Sequence, residues 1–288
     1  MSQTQNELTS IGYPVISNED IRQKAPSVFT LSPAPHVTDR YSHVPTHELI
    51  ESFAKLNWNP THVKQAGTSK FGRHVVRLNN PDLGFMKLQN DNVRPQIILD
   101  NSHDGKSSAK IHLGLFRLVC TNGLVVAMPG MYSAIKLRHV SIELNELKQL
   151  LEVTANQYEI IGNHIAEMQD YRLNNDQQEE FAIHSMAIRD PRRFINKDGT
   201  LDFAKITAVI NPKELVQPVR GEDRYGDLWS VFNTVQERLV KGNFESMSLS
   251  GRKSKPRGIN HAVRHLEFNR GLWELAESYM TEENYIMN

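Results

Sequence analysis

The residues with the clearest chemical use in this 288-residue chain are cations. Lys70, Arg73 and Arg77, with Lys64 just before them, lead into and along one β-branched segment. Lys106, Lys110 and Arg117 flank and enter a second, and Arg252, Lys253, Lys255 and Arg257 crowd the stretch 251–258, which has a glycine at each end. Lysine and arginine bind nucleic acid by replacing the counterions condensed on its phosphates. Phe71, Phe116 and Tyr132 are interleaved with them, and such rings stack on unpaired bases. Lys70, Arg73, Arg77, Lys106, Lys110, Arg117, Arg252, Lys253, Lys255 and Arg257 are therefore the candidate nucleic-acid contacts, with 252–257 as a clamp.

Other chemistries are weaker. The chain has no P-loop, no dinucleotide glycine fingerprint and no paired CxxC, which weighs against nucleotide hydrolysis, hydride transfer and structural zinc. His103-Asp104 near His112 invites a metal, and a nuclease built on Asp100, His103 and Asp104 is the sharp form of that idea. Its spacing fits no ligand pattern, and Asn101-Ser-His-Asp-Gly105 has turn-forming reasons for its composition. Ser102, His103 and Asp104 are consecutive, so they cannot form a catalytic relay. Cys120 has no assignable partner to stabilise a thiolate and reads as a small core thiol. The expectation is a non-enzymatic protein with no metal and no cofactor.

One cysteine allows no intrachain disulfide, which fits a reducing compartment. No apolar run reaches the roughly 18 residues of a membrane helix. The opening MSQTQNELTS lacks the basic and apolar regions of a secretion signal, so a cytoplasmic protein is expected. Lys/Arg and Asp/Glu balance at 33 each, but they are segregated. Residues 60–140 hold 11 basic and 4 acidic residues, 141–190 hold 3 and 10, and 241–270 hold 7 and 2. Blocks of one sign point to a basic face on the sheet-forming region and an acidic one elsewhere, or to solvated surface whose blocks folding mixes.

The elements that must position these cations follow from pattern. Residues 1–40, with four prolines, read as an irregular arm. A helix over 47–57 has Thr46 as its N-cap. Phe71–Leu78, Arg94–Asp100, Ala109–Cys120 and Leu124–Met128 read as strands, with Phe85–Leu88 pairing to the first. Asp104-Gly105 and Asn122-Gly123 supply the turns, which gives an antiparallel meander over 94–126. Ser141 caps a long helix over 142–172 whose apolar residues recur at 3,4 spacing, as an amphipathic helix across the sheet or a subunit contact. Further helices fall at 175–188, 201–210, 227–241 and 261–279. The fold class is α+β: a β-β-β-α core with a long helix across it and a helical C-terminal region. The divisions are an arm, 1–40, a core domain, 41–172, and a helical region, 173–288, carrying the basic loop 251–258.

Five segments carry a family resemblance. Tyr41-Ser-His-Val-Pro-Thr46, Asn101-Ser-His-Asp-Gly105, the run from Leu115 to Val126, the run from Leu228 to Glu237, and Gly271-Leu-Trp273 together resemble the phage/plasmid-like proteins of domain-of-unknown-function family 932. The resemblance covers about 41–279 and implies a mobile-element origin. It implies no catalytic residues. More loosely, a β-β-β-α unit followed by a long helix is similar to phage single-strand annealing proteins, the RecT, Erf and Red beta group. That likeness implies single-stranded DNA held in a basic sheet-and-helix groove, and rings or filaments of subunits.

The expected function is an oligomeric, non-enzymatic single-stranded DNA-binding protein, extending to an annealing factor for recombination. The alternative is a phage or plasmid anti-defence protein that acts by binding a host protein.

Overall fold

The structure, a computed structural model, describes residues 14–38, 41, 43–83, 86–87, 91–117, 120–125, 135–136, 144–248 and 251–286. It divides into two compact units, one of Met1–Lys87 with Asn92–Ile160 and one of Leu88–Asp91 with Ile161–Asn288. The division falls within the long helix, where the sequence placed it at residue 172.

In the first unit residues 14–38, within the segment expected to be an irregular arm, form a helix and a 3-10 turn packed on a core. Ser17 and Asp20 form a capping box, each side chain accepting from the other's backbone N–H, and this starts α1, Asn18–Lys24. A cap of this kind contributes about 1 kcal/mol. Ala25 and Pro26 end the helix and start a 3-10 turn, and Ile21, Ala25 and Val28 are fully buried. Helix α2 spans Thr46–Ala54, and Leu49, Ile50 and Phe53 form its buried side. Thr46 does not cap it: Pro45 occupies that position, and the Thr46 hydroxyl is turned inward to His74.

The sheet contains β1 Asn59–Gln65, β2 His74–Asn79, β3 Met86–Lys87, β4 Asn92–Asn101, β5 Lys110–Arg117, β6 Cys120–Val125 and β7 Ile135–Lys136. All pairings are antiparallel, in the order β1-β2-β4-β5-β6, with β3 on β4 and β7 on β5. The expected meander is present, with three differences. β3 pairs with β4, not with β2, the strand it was expected to join. Pro60 hid β1, which alternates Val63 inward with His62 and Lys64 outward. Asn122-Gly123 is not a turn: β6 runs through it, and Arg117 pairs directly with Cys120. The β-branched and apolar neighbours Thr121, Leu124 and Val125 favour the ladder with β5 over the local turn preference.

Register separates the faces, because cross-strand partners share one. Val63, Val76, Leu78, Ile97, Leu99 and Ile111 point into the core with α1, α2 and Trp58. The long helix α3, Leu144–Asp170, sets Leu151 against the same core. Seven residues on, the hydroxyl of buried Tyr158 donates to the Gln96 carbonyl at 2.6 Å. Ser141, expected to cap this helix, lies outside the described residues.

The second unit is helical: α4 Asn175–Arg189, α5 Pro191–Phe194, α6 Phe203–Val209, α7 Pro212–Leu215, α8 Leu228–Lys241 and α9 Ala262–Ile286. Its core centres on Trp229, stacked on Phe232 at 5.6 Å, with Trp273 edge-on to Phe232 at 6.1 Å. Asp227 caps α8, and Gly242 ends it with φ of 70°. The stretch 251–258, expected to lack pattern, contains β9, Lys253–Ser254, paired with β8, Ser246–Met247. No helix among the described residues is long and apolar enough to cross a membrane.

Candidate nucleic-acid interface

The face of the sheet opposite the core carries the cations. His62 of β1 pairs with Arg77 of β2, Arg77 with Ile98 of β4, and Ile98 with His112 of β5. The next row runs Lys64, Val75, Asp100, Lys110 and then Lys136 of β7. Neighbouring strands lie about 4.8 Å apart, so the second row places the positions of Lys64, Lys110 and Lys136 within some 20 Å; in the first row Arg77 is the cation, since burial and then the charge of Arg77 push His62 down to about 4. Lys64, Arg77, Lys110 and His112 are half-buried, whereas Val75, Ile98 and Asp100 among them are buried. Partial burial, and then the charge of Arg77, push the Lys64 ammonium below its usual pKa.

Asp100 is the carboxylate of this face, and it is already engaged. Arg73 clasps it with two parallel bonds, Nε to Oδ1 at 2.7 Å and Nη2 to Oδ2 at 2.6 Å. His112 Nε2 lies 3.4 Å from Oδ2. Burial pushes the Asp100 carboxyl upward, but these bonds outweigh it and hold the group at about 2.

Two turns extend the cations past the end of the sheet. Lys70 is exposed at the turn before β2, its ammonium 5.1 Å from the Phe71 ring centre. Lys106 is exposed in the β4–β5 turn, 3.9 Å from Asp104. The His103 N–H donates to the Phe71 carbonyl at 3.0 Å, which ties the two turns together.

Not every expected contact belongs here. Arg117 lies on the register of Ile111 and Leu115, across the sheet from Lys110, and is buried at 5% exposure. Alternation along β5 separates it from the other cations. Arg73 is committed to Asp100. Arg252, Lys253, Lys255 and Arg257 are exposed but belong to the second unit, where Lys253 pairs with Glu245 at 3.1 Å. Phe116 and Tyr132 have no described side chains. His62, His112 and Lys136 were missed, although the His-Val-Lys alternation around Val63 was a usable signal.

Behind the two turns lies a buried polar cluster. His74 sits between two hydroxyls, with Nδ1 2.8 Å from Ser27 Oγ and Nε2 2.8 Å from Thr46 Oγ1. Asn101 donates to Thr46 Oγ1 at 2.9 Å and to the Val44 carbonyl at 2.8 Å. Tyr41 donates to the Ser102 carbonyl at 2.6 Å. The His103 ring lies 4.5 Å from that of His43 and 5.3 Å from that of His74. Neither of its nitrogens makes a well-formed hydrogen bond among the described residues, the Ser27 backbone being its one weak partner there. Burial, and then His74 and His43, push His103 down to about 3; burial pushes His74 down to about 4. These imidazoles are neutral spacers at ordinary pH. Ser102 Oγ donates to Asp104 Oδ1 at 2.8 Å and so cannot be a nucleophile served by His103. Among the described residues no group of three or more His, Cys, Asp or Glu is arranged to hold a metal, and Asp100 is held by Arg73.

The chain belongs to the family described as a domain of unknown function, DUF932, whose model matches residues 34–272. It is similar to two proteins of Escherichia coli (strain K12). The UPF0380 protein YafZ is 27% identical over 276 residues, covering 93% of this chain and 92% of the relative. The UPF0380 protein YfjQ is 26% identical with the same coverage. No solved structure matches. The segments that carried the resemblance in sequence have a structural role in common. Tyr41, Val44 and Thr46 bond to Asn101 and Ser102 in the polar cluster, and Trp229, Phe232 and Trp273 build the second core. A Cβ on Gly271 would lie 2.8 Å from Ile188 Cγ2, so a larger residue there would displace the Ile188 side chain.

Proposed function

We propose that the protein binds single-stranded nucleic acid, without catalysis, along the cationic face and the adjoining end of its sheet. The observation that carries this reading is the register that aligns Lys64, Arg77 and Lys110 on the side away from the core, with Lys70 and Lys106 at one end. A sheet face suits an unpaired strand: recognising a duplex groove takes a protruding helix or ribbon, whereas a flexible strand can lie over a basic surface. Phe71, half-buried beside Lys70, is a ring on which a base can stack. In its fuller form this reading makes the protein a cytoplasmic, oligomeric factor that pairs complementary strands in the recombination of a phage or plasmid.

Fluorescence anisotropy with labelled oligonucleotides at low salt tests it. The single strand should bind and duplex should compete poorly. Charge reversal at Lys64 and Lys110 should abolish binding, while reversal of exposed Lys197 in the second unit should not. Absence of binding by the wild-type chain would sink the reading.

A further inference from the structure

Residues 31–37 cross the β4–β5 turn as a thin cover. The Ala34 N–H donates to the His103 carbonyl at 2.8 Å, His36 Nε2 lies 3.2 Å from the Asp104 carbonyl, and Val37 packs beside Gly105. Ala34 is buried, but Leu31 is 73% exposed, and Ser32, Pro35 and His36 are exposed as well. Pro33 and Pro35 have no N–H to donate. A segment with so few buried contacts opens at low cost while the core behind it stays folded.

Behind this cover lie His43 and His103, their rings 4.5 Å apart. His43 Nε2 donates to the Thr30 carbonyl at 3.1 Å, so its Nδ1 carries the lone pair, and that atom is buried without a partner among the described residues. His103 is fully buried, and its nitrogens have only the weak Ser27 backbone contact there. Deeper still, His74 lies 5.3 Å from His103 and is fixed between the Ser27 and Thr46 hydroxyls. A proton added to His43 or His103 in place would find no acceptor, and two imidazolium rings at this spacing repel. Glu48 faces His43, Asp104 faces His103 and Asp100 faces His74, each attracting a proton, while His47 repels one from His43. Burial is nonetheless the largest influence on all three rings.

We infer that residues 31–37 are a proton-operated lid, closed over neutral His43 and His103 and opened when either ring takes up a proton from solvent at the nitrogen that lacks an acceptor. The sign follows from burial. A hydrated imidazole titrates near 6.5, whereas burial holds His103 at about 3 and lowers His43 as well. The open form therefore binds protons that the closed form excludes. Closure is favoured most above about pH 6.5 and weakens as pH falls below it. Thr30 donates to the Lys70 carbonyl and Ala34 to that of His103, so opening loosens both turns that carry Lys70 and Lys106. The lid stands whether or not those turns bind nucleic acid.

Hydrogen exchange of the full chain, read by mass spectrometry and corrected for the intrinsic effect of pH, tests it. Between pH 7.5 and 5.0 the 31–38 segment, through the amides of Ala34 and Val37, should lose protection at least about tenfold, since each ring favours opening by roughly tenfold per pH unit below 6.5. At pH 5.0 it should be clearly less protected than residues 97–99 of β4. His43→Phe with His103→Phe keeps two buried rings and removes the proton sites, so its lid should stay protected at pH 5.0. Should that variant not fold, NMR titration of the wild-type imidazoles replaces it, and lid opening should share its midpoint with the His43 or the His103 ring signal. Protection of 31–38 that is independent of pH, equal protection of the two segments at pH 5.0 (unfolding of the whole unit), a pH dependence that survives in the folded variant, or a midpoint shared with neither ring would each overturn the lid.

Discussion

Arg73, just before β2, and Asp100 of β4 form a two-pronged ion pair, with the carboxylate 1% exposed and the guanidinium 28%. Removing the arginine strands a buried charge with His112 Nε2, 3.4 Å away, as its remaining close side-chain partner. Breaking such a pair costs about 3–5 kcal/mol when both members are buried. Because solvent screens Arg73, Arg73→Ala should cost about 2–3 kcal/mol, read as a lower urea midpoint with unchanged slope. Its oligonucleotide affinity should fall far less than that of a Lys110 variant once both are measured well below their unfolding midpoints.

The buried imidazoles make the first unit acid-sensitive. His74 and His103 are held neutral, at about 4 and about 3, whereas an unfolded histidine titrates near 6.5. Below about pH 6.5 the unfolded chain binds more protons, so stability falls as pH drops, by up to about 1.4 kcal/mol per pH unit for each histidine. Asp100 adds to the loss only below about pH 4, since its folded value is the depressed one. Urea midpoints between pH 7.5 and 4.5 should decline. His103→Leu, which replaces a buried ring without a well-formed hydrogen bond among the described residues, should make the decline shallower.

Tyr158 anchors the long helix to the sheet through one buried hydroxyl. Tyr158→Phe leaves the Gln96 carbonyl without that donor and should cost about 1–2 kcal/mol in chemical denaturation. An unchanged midpoint would show that the contact contributes nothing.

Gly242 ends α8 in the left-handed region, and a Cβ there would collide with the Pro256 carbonyl and the Arg257 backbone. The strained backbone alone costs roughly 1 kcal/mol for a side-chain-bearing residue. Gly242→Ala should therefore cost more than about 2 kcal/mol in all, measurable by thermal unfolding, whereas Gly199→Ala, with φ of 87° but open space around it, should cost less.

Local rules made much of this fold legible. Asp104-Gly105 turns as its composition predicts, with Gly105 at φ of 74°, and Asp227 and Gly242 bound their helix as cap chemistry requires. Long-range pairing was not legible. Asn122-Gly123 carries the same turn signal as Asp104-Gly105, yet it lies inside β6 because pairing with β5 outweighs it. The candidate site shows the same limit. Lys70, Arg77, Lys106 and Lys110 stand out as cations in sequence, but only register puts Lys64 and Lys110 in one row and turns Arg117 to the other side. The clasp on Asp100 removes Arg73 from the set, and no local pattern foretells it, since the partners lie 27 residues apart.

The most direct test of the central claim is the salt dependence of binding to a labelled single strand. Log affinity should fall linearly with log salt, with a slope of about −0.7 per phosphate neutralised. Replacing Lys64 or Lys110 with alanine should each flatten that slope by roughly 0.7, while Lys197→Ala leaves it unchanged. A wild-type chain without affinity at low salt, or slopes that ignore Lys64 and Lys110, would contradict the account.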